Sequence, residues 1–303
     1  MREWNVVPSK GDQPHFDNTS WRRTVKPRFT IVLSLTCSVI AGLASASDRR
    51  TEVPGTVSQG ALVVGHAEPR SRITIAGRAV RVSDDGTFAF GVGRDEAGPL
   101  TLRITWFDGA EESINLQVTP RDWPIERING VPPATVNPPP AIAARIEREQ
   151  AQVVAARARD DERVDFAQAF IWPVKGRISG RFGNQRIYNG TPKSAHSGMD
   201  IAAPKGTPVK APAAGVVTFA APDLYLTGGT LLLDHGHGVS SNFLHLSRLD
   251  VKVGDRVEQG QAIGAVGATG RATGPHLHWG MSWFDVRIDP LLVIEREKQP
   301  SGP

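Results

Sequence analysis

Hydrophobic and polar residues alternate in short segments along the part of the chain that follows residue 50. Such segments occupy residues 61–65, 73–75, 88–90, 100–107 and 113–118, and turns rich in Gly and Asp separate them. Alternation with a period of two predicts β-strands with one buried face, and strands spaced about eight to twelve residues apart favour a small antiparallel sandwich. We therefore predict a β-sandwich module over residues 47–125.

Residues 126–168 follow a different pattern. Consecutive prolines between residues 131 and 140 favour the extended polyproline conformation, so residues 126–140 are predicted to form a stiff linker at a domain boundary. Residues 141–168 are rich in Ala, Glu, Arg and Gln and have weakly periodic apolar positions. This composition predicts a connecting helix whose charged face lies in solvent.

From residue 169 to residue 296 the chain returns to short apolar segments punctuated by Gly and Pro. The candidate strands are residues 209–219, 230–233, 240–246, 262–266 and 276–283. The predicted fold class is therefore mainly β, with an N-terminal β-sandwich, a linker helix and a C-terminal antiparallel β domain. Residues 297–303 are predicted to be a tail.

The charge of the chain does not indicate nucleic acid as a partner. The net charge is +4 in 303 residues, but residues 1–46 hold six basic and three acidic residues. Because most of the basic excess belongs to this segment, the remainder is almost neutral and offers no basic surface to a polyanion.

Residues 22–46 have the organisation of a secretory signal, with a basic flank, an apolar core and small residues before a polar stretch. We predict that residues 1–46 are a signal peptide, that translation starts near Val25, and that the protein is exported, with the periplasm as its compartment. The alternatives are an uncleaved inner-membrane anchor that faces the protein outward, and twin-arginine export through Arg22 and Arg23. The only cysteine, Cys37, lies in this segment, which excludes disulfides and cysteine catalysis in the mature chain.

Histidines are concentrated in the C-terminal part. Six of the eight lie between residues 196 and 278, which favours a metal or proton-transfer site over chance. His196 and Asp200 are four positions apart and His276 and His278 are two apart, so each pair can face one side of an extended strand. His245 lies in another alternating segment, where it faces away from the neighbouring leucines.

Two further histidines, His235 and His237, alternate with glycines. This pattern predicts a turn, a setting in which exposed polar histidines are common. A direct role in chemistry is the less favoured interpretation for both.

The order and separation of these residues resemble those of the lysostaphin-type zinc metallopeptidases, the LytM-like peptidoglycan endopeptidases. The resemblance rests on His196-x-x-x-Asp200, the strand around His245 and His276-x-His278, and it covers residues 172–292 approximately. It implies a lysostaphin-type antiparallel β domain with a zinc groove over residues 169–296. Residues 47–125 resemble the immunoglobulin-like β modules of bacterial envelope proteins.

The resemblance also implies roles for individual residues. His196, Asp200 and His278 would bind one Zn²⁺ and leave its fourth position to water, and His245 and His276 would be the catalytic residues beside it. One of these two histidines would pass the proton of the attacking water to the leaving amine, and the other would stabilise the oxyanion. Which histidine does which stays open.

The function that the resemblance implies is zinc-dependent hydrolysis of peptide cross-links in bacterial peptidoglycan. The expected partners are peptidoglycan stem peptides and an envelope protein bound through the β-sandwich, with no nucleic acid, and with a membrane only if the N-terminal segment is not cleaved. The alternative is a non-catalytic LytM-like regulator of cell-wall amidases. A carrier hairpin at residues 253–264 would need a Met-Lys-Met site, and a phosphate loop at residues 267–274 would need Gly-Lys-Ser/Thr; the sequence contains neither.

Overall fold

The computed structural model of the protein describes residues 51–296. The predicted signal peptide, the start near Val25 and the predicted tail at residues 297–303 lie outside this range. Among the residues described, no helix is both long and apolar enough to span a bilayer.

The N-terminal part consists of two small sheets. Its strands are β1 (Thr56–Ser58), β2 (Leu62–His66), β3 (Arg72–Ile75), β4 (Arg78–Val80), β5 (Thr87–Gly91), β6 (Leu100–Thr105) and β7 (Glu111–Thr119). Strands β2 and β5 pair with each other, and the other five form a sheet in the order β1-β7-β6-β3-β4. Alternate apolar residues such as Leu102 and Ile104 are buried, as the period of two predicts. The likeness to immunoglobulin modules stays a prediction.

The segment that the sequence assigns to a linker folds onto the C-terminal part instead of extending as a rod. It contains strand β8 (Ile125–Ile128) and the one-turn helix α1 (Pro133–Val136). Pro133 is the first residue of its helix, a position where the fixed φ of proline is helical and no N–H is needed. Val131 and Val136 are buried against Tyr188, so burial of apolar side chains outweighs the polyproline preference.

Helix α2 (Pro140–Arg157) lies in the region predicted to be helical but ends well before residue 168. Beyond it, the Asp161 carboxylate accepts hydrogen bonds from the backbone N–H and the guanidinium of Arg163 and so closes a turn. A short 3₁₀ helix, Asp165–Ala167, follows. The role of α2 as a connecting helix stays a prediction.

The C-terminal part is built on one large sheet. Its elements are β9 (Arg177–Gly180), β10 (Gln185–Tyr188), β11 (Thr191–Pro192), β12 (Met199–Ala202), β13 (Pro208–Lys210), β14 (Gly215–Leu224), β15 (Gly228–Asp234), β16 (Val239–Leu246), β17 (Arg248–Leu249), β18 (Arg256–Val257), β19 (Ala262–Ala265), β20 (His276–Trp283), β21 (Val286–Ile288) and α3 (Pro290–Glu295). The large sheet has the order β18-β14-β15-β16-β20-β12-β9, with β21 also on β20; the smaller sheets are β11-β10-β8 and β13-β19-β17.

The candidate strands of the sequence are present with one difference. The strand predicted for residues 209–219 is divided between β13 and β14. Pro212 lies between them, and a proline has no N–H with which to continue a ladder. The chain is therefore mainly β with few helices, as the sequence predicts.

Strand β20 separates the hydrophobic core from the opposite face of the sheet. Leu277, Trp279 and Met281 are fully buried in a core that also contains Phe90 of the N-terminal part. The alternate residues of β20 face the other side of the sheet. Because the core is continuous, the two parts form one compact unit.

The turn predicted around His235 and His237 is present, but neither side chain is exposed. The Nδ1–H of His235 donates to the carbonyl of Ala214 at 2.7 Å, and its Nε2 accepts from the Ser241 hydroxyl at 2.9 Å. His237 packs against the ring of Phe166. Burial lowers the pKa of His235 to about 4, so its uncharged form is part of the core.

This buried histidine predicts a dependence of stability on pH. The ordinary histidine pKa is 6.5 and that of His235 in the fold is about 4, so between these values the unfolded chain binds a proton that the folded chain does not. Stability should therefore fall as the pH drops from 6.5 to 4, by about 1.4 kcal/mol per pH unit for this group. Urea unfolding of His235→Asn in chelator should show a shallower pH slope than the unsubstituted protein; equal slopes would contradict the assignment.

Candidate metal centre

The pairing of β12 with β20 brings together two residues that are far apart in sequence. In this antiparallel ladder Asp200 lies directly opposite His278, and directly opposed residues project from the same face of a sheet. His196 approaches from the segment before β12, where its backbone N–H donates to the carbonyl of Asn184. A Cβ at Gly198 would lie only 2.7 Å from Nε2 of His278, so glycine is required for this close approach.

Three ligand atoms converge at this point. His196 Nε2 lies 3.1 Å from Asp200 Oδ1, His278 Nδ1 lies 2.9 Å from the same oxygen, and the two nitrogen atoms are 3.0 Å apart. All three side chains are buried. The Nδ1–H of His196 donates to the carbonyl of Arg181 at 2.9 Å, which leaves the Nε2 lone pair directed at the cluster.

The donor set fits a divalent metal ion. Two imidazole nitrogens and one carboxylate oxygen are the ligand types of catalytic zinc sites, which use three protein ligands and keep one position open. Burial disfavours the charged form of Asp200, but its contacts with the imidazoles of His196 and His278 outweigh burial and hold the pKa of the carboxyl well below its usual range. Burial lowers the pKa of His278 to about 4. At neutral pH Asp200 is therefore a carboxylate and His278 an uncharged imidazole, the forms in which these side chains bind a metal.

Arg186 holds the second oxygen of the Asp200 carboxylate. Its Nη2 donates to Asp200 Oδ2 at 2.6 Å, while Oδ1 faces the two histidines. Arg186 is itself fixed by the carboxylate of Glu126 at 3.3 Å and the hydroxyl of Tyr188 at 3.0 Å. Sequence reasoning missed Arg186 because no spacing rule connects it to Asp200; only the folded position of β10 beside the site does so.

His245 and His276 lie beside the cluster, with ring centroids 4.8 Å apart, and the His245 centroid is 6.3 Å from that of His278. The Nδ1–H of His245 donates to the carbonyl of Thr269 at 2.8 Å. The Nδ1–H of His276 donates to the carbonyl of Gly274 at 2.8 Å. In the uncharged form of each ring the lone pair therefore lies on Nε2. His276 Nε2 is 3.9 Å from Asp200 Oδ1.

The surroundings of His245 keep it uncharged. Burial is the main cause, helped by the neighbouring His276 and His278, and together they lower the pKa of His245 to about 3. The residue also has a positive φ of 63°, a conformation that only a few per cent of non-glycine residues adopt. The five residues singled out by the sequence thus lie together, whereas His235 and His237 are in the core.

A groove with a volume of about 1160 Å³ opens beside the cluster, and His196, His245 and His278 line it. Helix α2, residues 135–138 and residues 93–96 line it as well. The segment predicted to be a linker therefore contributes a wall of the groove.

The contact between Arg186 and Asp200 predicts a role in metal affinity. Arg186→Gln should weaken Zn²⁺ binding about 10- to 100-fold, because outer partners of metal ligands typically have effects of this size. Arg186→Lys keeps the charge but not the planar donor pair, so its Zn²⁺ affinity should lie between those of Arg186→Gln and the unsubstituted protein. Competition with a chromophoric chelator measures both affinities; equal Zn²⁺ affinity in Arg186→Gln and the unsubstituted protein, with the fold intact by circular dichroism, would refute the role.

Comparison with known proteins bears on this site. Residues 194–290 match a family model described as peptidase family M23. The chain is also similar to a crystal structure assigned to peptidase M23 from Pseudomonas aeruginosa, with 34% identity, a TM-score of 0.61, and coverage of 78% of this chain and 94% of that one. The similarity therefore extends over the N-terminal part as well as the metal cluster.

The matches to curated relatives cover a smaller share of the chain. The chain is 43% identical over 111 residues to the peptidoglycan DD-endopeptidase ShyA of Vibrio cholerae, which is 36% of this chain and 26% of that protein. It is 35% identical over 133 residues to the cell division protein DipM of Caulobacter vibrioides, 42% of this chain and 21% of that one. The matches thus span about a quarter of these relatives.

The solved relative is matched over nearly its whole length, and the family segment contains all three residues of the buried cluster. The chain therefore belongs to peptidase family M23.

Proposed function

We propose that the protein is a zinc-dependent endopeptidase that hydrolyses peptide cross-links of bacterial peptidoglycan. The observation that carries this proposal is the convergence of His196, Asp200 and His278 within 4.8 Å, beside two further histidines whose Nδ1–H groups donate to backbone carbonyls. Three ligands with an open position are typical of a catalytic zinc, whereas a structural zinc is enclosed by four. M23 peptidases are metal-dependent, and zinc is the ion that this donor set fits best.

His196 Nε2, Asp200 Oδ1 and His278 Nδ1 would hold the ion. The chemistry that zinc supplies in such a site is activation of a water and polarisation of the scissile carbonyl. Arg186 supports the ligand set by fixing Asp200 with Oδ1 toward the histidines. Gly198 supports it by leaving room for His278.

His245 is the proposed proton carrier. Its Nδ1–H is engaged with Thr269, so Nε2 is the atom that can accept the proton of the attacking water. Burial and the neighbouring histidines lower the pKa of His245, so the ring is uncharged before the reaction and Nε2 is free to accept the proton. The protonated ring can then pass this proton to the leaving amine, which completes the cleavage.

His276 is the proposed stabiliser of the oxyanion. Its Nδ1–H is already given to the carbonyl of Gly274, so it can donate to a substrate oxygen only through a protonated Nε2. That nitrogen lies 3.9 Å from Asp200 Oδ1, so it is placed beside the proposed metal ligands.

The substrate and the location of the protein are inferred from its relatives. Two of them are named peptidoglycan DD-endopeptidases, at 43% and 42% identity, and peptidoglycan stem peptides are the substrate we propose. Because peptidoglycan lies outside the cytoplasmic membrane, we also propose an extracytoplasmic location, with export to the periplasm. An envelope protein that binds the N-terminal β-sandwich, an immunoglobulin-like module in our proposal, would be a second partner.

The alternative is a non-catalytic regulator of cell-wall amidases. Regulators of this class usually lack ligand positions, whereas all five histidine and aspartate positions here meet at one site. Endopeptidase function is therefore favoured.

Zinc content and cleavage provide the direct test. The purified protein should hold one Zn²⁺ per chain by atomic emission and should release uncross-linked muropeptides from purified peptidoglycan. A chelator should abolish the release and added Zn²⁺ should restore it. A protein without zinc and without cleavage would favour the regulator.

Substitutions should separate metal binding from proton transfer. His196→Ala, Asp200→Ala and His278→Ala should each lose zinc and activity together. His245→Ala should keep zinc and lose about 10²- to 10⁴-fold in kcat, the usual contribution of a general base. Full cleavage by His278→Ala, measured by chromatography of the muropeptides, would refute the ligand assignment.

A further inference from the structure

Within residues 51–296, three arginines that line the groove form no ion pair. One of them, Arg271, donates to the carbonyl of Thr135 and lies over the ring of Tyr188; the other two are Arg157 and Arg287. Arg157, the last residue of α2, and Arg287 of β21 both line the groove that contains the metal ligands. Arg157 is only 8% exposed, and its buried Nε has no hydrogen-bond partner. Among the described residues 51–296, no carboxylate forms an ion pair with either side chain. Unpaired buried guanidinium groups are unusual, because removing a charge from water without compensation is costly.

The two arginines also lie close enough to influence each other. Burial, and then the charge of Arg287, lower the pKa of Arg157 to about 9. Burial likewise lowers the pKa of Arg287. Arg157 remains charged at pH 7, so the groove holds positive charge that no ion pair neutralises. The nearest acidic residues along the chain pair with other arginines: Asp285 with Arg78 at 2.6 Å, Asp289 with Arg121 at 2.8 Å and Asp160 with Arg81 at 2.8 Å.

The sheet register relates this pair to the metal ligands. Arg287 lies opposite Ser282, and Ser282 follows His278 by four positions on β20. These residues therefore share one face of the sheet, and Ser282 is about 13 Å from His278 along the strand. The sheet surface between Arg287 and His278 is polar, because Asn242 and Ser240 of β16 pair there with Gly280 and Ser282 of β20.

We propose that Arg157 and Arg287 form a subsite for a carboxylate of the peptide substrate. A guanidinium donates two parallel N–H groups, which match the two oxygens of a carboxylate. An extended peptide spans about 3.3–3.6 Å per residue, so the recognised carboxylate lies about four residue lengths from the bond that is cut. This inference rests on the proposed endopeptidase function and deepens it: the enzyme selects peptides by a negative group remote from the scissile bond.

A matched set of three substrates tests the subsite. A cross-linked muropeptide dimer is prepared with its carboxylates free, with only the terminal carboxylate amidated, and with only the side-chain carboxylates amidated. The zinc-loaded protein should show at least a tenfold lower kcat/KM for one amidated form, through a higher KM. The form that is affected identifies which carboxylate the subsite binds.

The preference should depend on the two arginines. In Arg157→Gln and Arg287→Gln the ratio of kcat/KM for free over amidated substrate should fall toward one, and Arg157→Lys should give an intermediate ratio. Arg148→Gln, on the same helix but exposed, should keep the original ratio. Zinc content and circular dichroism verify that each variant is folded.

Several results would overturn the proposal. A ratio near one in the unsubstituted protein would show that no carboxylate is selected, and an unchanged ratio in both Gln variants would place the recognition elsewhere. Absence of cleavage of every substrate would instead count against the proposed function. Calorimetry would then test the subsite independently of cleavage, by measuring the affinities of the protein for the same free and amidated dimers. Equal affinities would exclude the subsite.

Discussion

The register of β12 against β20 is the constraint on which the rest of the site depends. Because Asp200 is opposite His278, the carboxylate and the imidazole leave the sheet side by side. A shift of β20 by one residue against β12 would turn His278 to the other face and place Leu277 or Trp279, which now fill the core, beside Asp200. The hydrophobic core therefore fixes the metal centre: the same alternation that buries the apolar residues of β20 directs its histidines to the groove.

The second constraint is that the two carboxylate oxygens of Asp200 have different partners. One oxygen faces the histidines and the other is held by Arg186. Arg186 in turn is held by Glu126, which belongs to β8 and therefore to the segment between the N-terminal and C-terminal parts. Two successive contacts, Asp200 with Arg186 and Arg186 with Glu126, therefore connect the orientation of a proposed metal ligand to strand β8, which contains no residue of the cluster.

The sequence predicted those features that depend on local pattern. Alternation located most strands, and the spacing of His276 and His278 placed them on one face. The clustering of histidines, read with the family resemblance, selected the residues that the fold brings together. Local sequence patterns did not predict features that depend on contacts between residues distant in sequence. No motif or spacing identifies Arg186 as a partner of Asp200. His235 and His237 are buried, although their glycine neighbours predict an exposed turn. Prolines at residues 131–140 predicted a rod, but burial of Val131 and Val136 against Tyr188 gave a folded segment.

The pairing of β8 with β10 has a consequence for the modularity of the chain. A fragment that begins at residue 169 keeps every motif residue but loses the strand that covers the edge of β10. It also loses Glu126, and with it one of the contacts that fix Arg186. One that begins at residue 194, where the family match begins, loses β10 and Arg186 as well. The segment that can be exchanged between proteins as a functional piece is therefore longer than the segment that family resemblance delimits. Recombination during evolution would have to carry β8 together with the metal ligands to transfer a fully oriented site.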